Sequence, residues 1–162
     1  MKQSRDIIIA IVGLAIIGIV ISYFYSADLT KNLGLAFGNE LKSIQDELKT
    51  QQTQFSSKYT TLNENAISTE EFLEFSNTHI KKMDEFILRY DKLSPPESFA
   101  SAVELLKLST ISQLESDIEL IEWIKTGDES AKIRSDLLLQ EAFDYEMAGL
   151  NEYNSAKAGI NP

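Results

Sequence analysis

The sequence predicts an all-α protein: one N-terminal transmembrane helix followed by an up-down antiparallel four-helix bundle. Three observations carry that expectation. Ile7 to Tyr25, IIIAIVGLAIIGIVISYFY, is an apolar run without a charge. From Asp28 onwards apolar residues recur at steps of three and four, the spacing of one helix face. Turn chemistry breaks that pattern at three points, and no stretch alternates as a half-buried strand would.

The apolar run holds 19 residues, which at a helical rise of about 1.5 Å span roughly 28 Å, close to the hydrocarbon thickness of a bilayer. Ile7, Ile11, Leu14, Ile17 and Ile21 would meet lipid, and Tyr23, Phe24 and Tyr25 close the run as an interfacial aromatic cluster does. Residues 1–6 bring the amino group, Lys2 and Arg5 ahead of it. That positive bias predicts a short cytoplasmic N-terminus, a membrane helix over 7–25, and residues 26–162 outside the cytoplasmic membrane. A cleaved signal peptide is the main rival. Its apolar core is usually about 7–15 residues and ends in a small-x-small site. Phe24 and Tyr25 occupy the upstream small positions before Ser26 and Ala27, and Val20-Ile21-Ser22 lies inside the run, so a retained signal-anchor is expected. The basic leader, apolar helix and amphipathic extension also resemble a type IV pilin, which would imply a filament subunit. Arg5-Asp6 stands here where the pilin pattern has Gly or Ala, and the early glutamate of the bacterial pilin helix is missing.

The first bundle helix is expected over about 28–62, with Leu29, Leu33, Phe37, Leu41, Ile44, Leu48, Phe55 and Leu62 on one face. Gln51 interrupts a coiled-coil heptad reading, and the Gln-rich KTQQTQ patch argues against a long dry seam. Gly34 and Gly38, four apart, read as a flexible point beside the membrane. Asn63-Glu64-Asn65-Ala66 is a turn. Ser68 followed by Glu71 has capping-box spacing, with Ile67 and Phe72 placed for a hydrophobic staple, so a second helix is expected over 69–91. It would bury Phe72, Phe75, Ile80, Met83, Phe86, Ile87 and Tyr90. Leu93-Ser94-Pro95-Pro96-Glu97 is the second break. Its prolines suit a first helical turn and Ser94 with Glu97 repeats the capping spacing, predicting a third helix over 95–125. Phe99, Val103, Leu106, Leu114, Ile118, Ile121 and Ile124 would form its buried side. Thr126-Gly127-Asp128 supplies a left-handed cap and then an N-cap for a fourth helix over 129–156. That helix would bury Ile133, Leu137, Ala142, Phe143, Met147, Leu150 and Tyr153. Short turns imply antiparallel neighbours, so the C-terminus should return towards the membrane.

Charge narrows the function classes. The chain carries a net charge of −10, and with Lys2, Arg5 and Asp6 set aside the part after Ala27 holds 13 basic and 24 acidic residues. Such a surface repels phosphate backbones, so nucleic acid is not an expected partner. It repels anionic lipid too, leaving residues 7–25 to hold the bilayer. The absence of cysteine excludes disulfides, thiol catalysis and lipoprotein acylation.

No catalytic set is legible, and no enzyme activity or cofactor is expected. His79 is the one histidine, without the Glu-x-x-His spacing of bundle di-iron sites, and is expected to be half-exposed or hydrogen-bonded rather than a base. Without cysteine or a second histidine no zinc site is expected. The acidic groups Glu70-Glu71-Glu74, Asp117-Glu119-Glu122 and Glu141-Asp144-Glu146 are expected on solvated helix faces. Paired carboxylates need a cleft to separate their pKa values, and none has calcium-loop spacing. Trp123, Phe143, Tyr145 and Tyr153 fall at helical spacing and read as core rather than as a ligand groove.

Leu93-Ser94-Pro95-Pro96-Glu97, the long helix after it, the Thr-Gly-Asp turn at 126–128 and the next helix resemble a hairpin of small extracytoplasmic helical proteins of bacteria and archaea, anchored by a membrane helix or a lipid. The likeness spans about Tyr90 to Leu150. It implies fold and placement, and no activity. An anchor followed by a four-helix domain also resembles the sensory half of a chemoreceptor, although no second apolar span follows Tyr25. The expectation is therefore a membrane-anchored interaction or structural protein, an accessory subunit of an envelope complex, with a protein partner or a second copy meeting its helical faces. A small-ligand-binding or sensory helical module is the alternative.

Overall fold

The computed structural model describes residues 33–159, and within them all regular structure is helical. The predicted membrane stretch, with Ile7, Ile11, Leu14, Ile17, Ile21, Tyr23, Phe24 and Tyr25, lies outside the described residues. Among those described, no helix is long and apolar enough to cross a membrane. Four helices pack together: α1 (Leu33–Asn63), α2 (Thr69–Lys92), α3 (Ala100–Thr126) and α4 (Glu129–Lys157), with a 3-10 turn at Glu97–Phe99 before α3.

The caps follow the sequence chemistry. α1 closes on Asn65 in the left-handed region (φ 56°), with Ala66 N–H donating to Thr61 O at 3.0 Å. Ser68 Oγ accepts from Glu71 N–H at 3.1 Å. Glu71 Oε1 lies 3.4 Å from Lys58 Nζ of α1. Gly127 at φ 71° ends α3, its N–H donating to Trp123 O at 2.7 Å, and Asp128 Oδ1 accepts from Ser130 N–H at 2.9 Å to start α4. The expected Ser94 cap does not form, and α3 begins at Ala100 rather than 95. Pro96 stays extended (φ −54°, ψ 148°) and restricts Pro95 in the same sense, so helical turns start only at Glu97. The backbone of α1 is helical through Gly34 and Gly38.

Side-chain pairings set the helix directions. Phe37 at the start of α1 meets Phe99 (centroids 5.8 Å), which meets Tyr153 near the end of α4 (5.0 Å). At the opposite end Phe55 of α1 packs on Phe72 of α2 (5.6 Å) and clusters with Ile121 of α3. Successive helices therefore run antiparallel, and α1 begins where α4 ends. The larger core cluster fills the Phe37–Tyr153 end and the middle, with Ile44, Met83, Phe86, Tyr90, Leu106, Leu114 and Leu150.

α3 and α4 approach most closely, because small residues line their contact. Ala102, Ala131, Ser135 and Ala142 are buried, and Ser116 Oγ donates to Ser135 O at 2.8 Å. A Cβ on Gly149 would sit 3.0 Å from Leu106 Cγ. This close contact overturns part of the expected core. Ile133 and Leu137 are 60% and 66% exposed. Each lies two residues, about 200° of helix, beyond the small residues Ala131 and Ser135 that face α3. Ile118 is exposed for the same reason, two residues after Ser116. Phe75, Ile80 and Ile87 are half-buried at the core margin.

Candidate functional site

The core of this bundle is not dry. On α2 the stripe Phe72, Ser76, His79, Met83, Phe86 and Tyr90 is buried, stepping by four and three, and three of its six members carry polar atoms. Two polar layers result.

The first layer is centred on Asp117. This residue is 4% exposed, so the expectation of a solvated carboxylate fails there. Its Oδ2 accepts from Gln52 Nε2 at 3.0 Å and from His79 Nε2 at 2.8 Å, while Oδ1 accepts from Gln113 Nε2 at 3.1 Å. Gln51 Nε2 lies 3.0 Å from His79 Nδ1. With that amide N–H donating, Nδ1 is the acceptor and Nε2–H donates to Asp117 Oδ2. His79 is hydrogen-bonded through both ring nitrogens, the second of its two expected states, and wholly buried, with its ring stacked on Phe55 at 4.1 Å between centroids. A His–Asp pair alone could suggest base catalysis. Among the described residues the hydrogen-bond partners of the imidazole are Asp117 and Gln51, neither of them a nucleophilic hydroxyl. What the arrangement does is tie α1, α2 and α3 together through one carboxylate, fixing their register.

The second layer lies nearer the Phe37–Tyr153 end and draws one polar residue from each helix: Gln45, Tyr90, Thr110 and Glu146, all buried. Gln45 Nε2 donates to the Tyr90 hydroxyl. Tyr90 is hydrogen-bonded to Thr110, whose Oγ1 donates to Leu106 O at 3.0 Å. Burial raises the Tyr90 phenol above its ordinary range, so it stays protonated. Glu146 stands apart from this chain. It is 8% exposed, its Oε1 has no hydrogen-bond partner among the described residues, and burial pushes its carboxyl up to about 8. It too was expected on a solvated face. Asn154 Oδ1, two turns further along α4, is likewise buried without a partner.

The other sequence candidates scatter. Tyr153 packs on the core, as expected. Phe143 and Tyr145 are half-buried. Trp123 is half-buried rather than core, its indole N–H donating to Glu129 at 3.3 Å. Glu70, Glu71 and Glu74 are exposed. Among the described residues no group of three potential ligands could hold a metal ion. Both layers escaped the sequence reading, because Gln45, Gln52, Ser76, Asp117 and Glu146 look like surface residues by type. The available signal was position: His79 and Ser76 sit at the steps between Phe72 and Met83.

No known protein family, characterised protein or solved structure matches the chain.

Proposed function

We propose that this chain is an interaction or structural subunit held at the cytoplasmic membrane by residues 7–25, with its N-terminus inside and its helical domain outside. The observation that carries this reading is the Phe37–Phe99–Tyr153 contact, which brings the start of α1 and the end of α4 to one end of the bundle. A domain tethered through the segment before α1 then stands on that end, with the α1–α2 and α3–α4 turns farthest from the bilayer. Its acidic surface suits protein contacts better than lipid or nucleic acid. The hairpin likeness around Leu93–Glu97 favours the same placement. Fractionation and protease treatment of intact cells or spheroplasts test it. The chain should stay with membranes through alkaline carbonate washing, and external protease should digest the domain. Release by carbonate, or full protection until lysis, would refute it. Crosslinking before mild-detergent extraction should recover a larger species, and a stable monomer at native abundance would refute the subunit role.

A further inference from the structure

We propose that Glu146 is a proton-dependent latch: while its carboxyl keeps its proton the C-terminal half of α4 stays seated on α3, and loss of that proton loosens the half-helix. The inference does not depend on the membrane anchor, since it rests on the bundle interior alone.

The geometry sets it up. Glu146 projects into the layer that Gln45, Tyr90 and Thr110 supply from the other three helices, yet those three satisfy one another in a chain that ends on the Leu106 carbonyl. None of their donors is turned to Glu146 Oε1, which is buried and unpartnered. A protonated carboxyl tolerates such a place, whereas a carboxylate there has lost water at Oε1 without gaining a donor to that oxygen. No charged group acts on it, and charged residues at neighbouring levels of the helices pair elsewhere. On α2, Arg89 reaches Glu40 and Glu47 of α1 (both 2.9 Å). On α3, Lys107 holds Asp91 at 2.6 Å. On α1, Asp46 is paired with Lys42, and on α4 Glu141 lies 3.4 Å from Ser112 Oγ. Tyr90 is the titratable group facing Glu146 from α2, and it stays neutral. Burial is accordingly the cause of the raised carboxyl pKa, with no charge partner contributing.

The segment that would move packs on the core through Met147, Leu150, Tyr153 and Ala156. At Gly149 its backbone lies close against Leu106 of α3. Loosening it would uncover Leu150 and the Phe99–Tyr153 contact at the end of the bundle where α1 begins.

Hydrogen-exchange mass spectrometry of the full chain in mild detergent tests the latch. Protection is compared at pH 5.5 and 8.5 after correction for intrinsic exchange. Linkage between an ordinary glutamate and one titrating near 8 predicts that protection over residues 142–157 falls on the order of 100-fold, while residues 72–90 hold theirs. In E146Q, and in E146M if the glutamine variant fails to fold, the 142–157 segment should be equally protected at both pH values. Wild-type protection that does not change with pH would overturn the proposal, as would an equal loss in the variant.

Discussion

Replacing Asp117 tests whether the first polar layer holds the bundle by hydrogen bonding. Asp117→Val keeps the residue compact but removes every acceptor. Two fully buried donors, Gln52 Nε2 and His79 Nε2–H, are then orphaned; Gln113 is half-buried and can turn to water. At about 1–3 kcal/mol for each orphaned buried donor, the loss should be about 4 kcal/mol. Asp117→Asn should cost far less, about 1–2 kcal/mol. One amide oxygen can take the place of Oδ2, which already serves both buried donors, and what disappears is the charge assistance. His79→Leu leaves Asp117 two of its three donors and forfeits the stack on Phe55, about 2 kcal/mol. In the double variant D117V/H79L only Gln52 is orphaned, so the cost should fall roughly 3 kcal/mol short of the sum of the singles. Urea unfolding followed by far-ultraviolet circular dichroism, at pH 7 in mild detergent, measures all four. A valine variant within about 1 kcal/mol of wild type, or strict additivity in the cycle, would refute the reasoning.

Two further outcomes follow from residues outside that layer. A carboxyl raised from 4.5 to about 8 stabilises the fold below its unfolded pKa and loses that contribution as pH climbs towards 8. Urea midpoints of wild type and E146Q should therefore diverge with rising pH, the variant gaining up to about 3 kcal/mol at pH 7, and parallel curves would contradict the burial of the charge. Gly149→Ala should destabilise by about 1–2 kcal/mol, because its Cβ would meet Leu106 Cγ at 3.0 Å and Leu106 N at 3.2 Å. Gly38→Ala meets nothing within 4 Å and should raise stability by about 0.5–1 kcal/mol in the same unfolding assay.

The elements of the described bundle were legible because their ends are written in local chemistry. Ser68, Gly127 and Asp128 act over three or four residues, and no distant contact had to be known. The apolar stripe of α1, from Phe37 through Phe55, was legible for a similar reason, since it matches one helical face. What failed was orientation on α4. Its largest side chains, Ile133 and Leu137, point away from α3 because the helix packs through alanine, serine and glycine instead. A size-weighted reading of hydrophobicity selects the wrong face when close approach, rather than bulk, sets the contact. The polar layers failed for a different reason. Whether Asp117 is solvated or triply hydrogen-bonded depends on Gln52, 65 residues earlier, and on His79, 38 residues earlier.

The two layers differ in a way that sets where this bundle should yield first. At Asp117 each carboxylate oxygen has a donor, and pulling α1, α2 and α3 apart there orphans the buried donors Gln52 and His79 at once, while Gln113 stays with Asp117 on α3. α4 takes no part in that network. Its own polar contribution, Glu146, gives it no hydrogen bond at Oε1 and costs more as the pH rises. The close α3–α4 contact is held instead by van der Waals packing and by Ser116 against Ser135, Glu119 against Arg134 and Ser112 against Glu141, partners that all lie on α4 before Ala142. Fraying should accordingly begin at Lys157 and travel inward, halting near Glu141 where the hydrogen bonds from Ser112 and then Ser116 begin to hold. A three-helix unit tied by Asp117 would remain, and the movable half-helix would lie at the end of the domain where α1 starts.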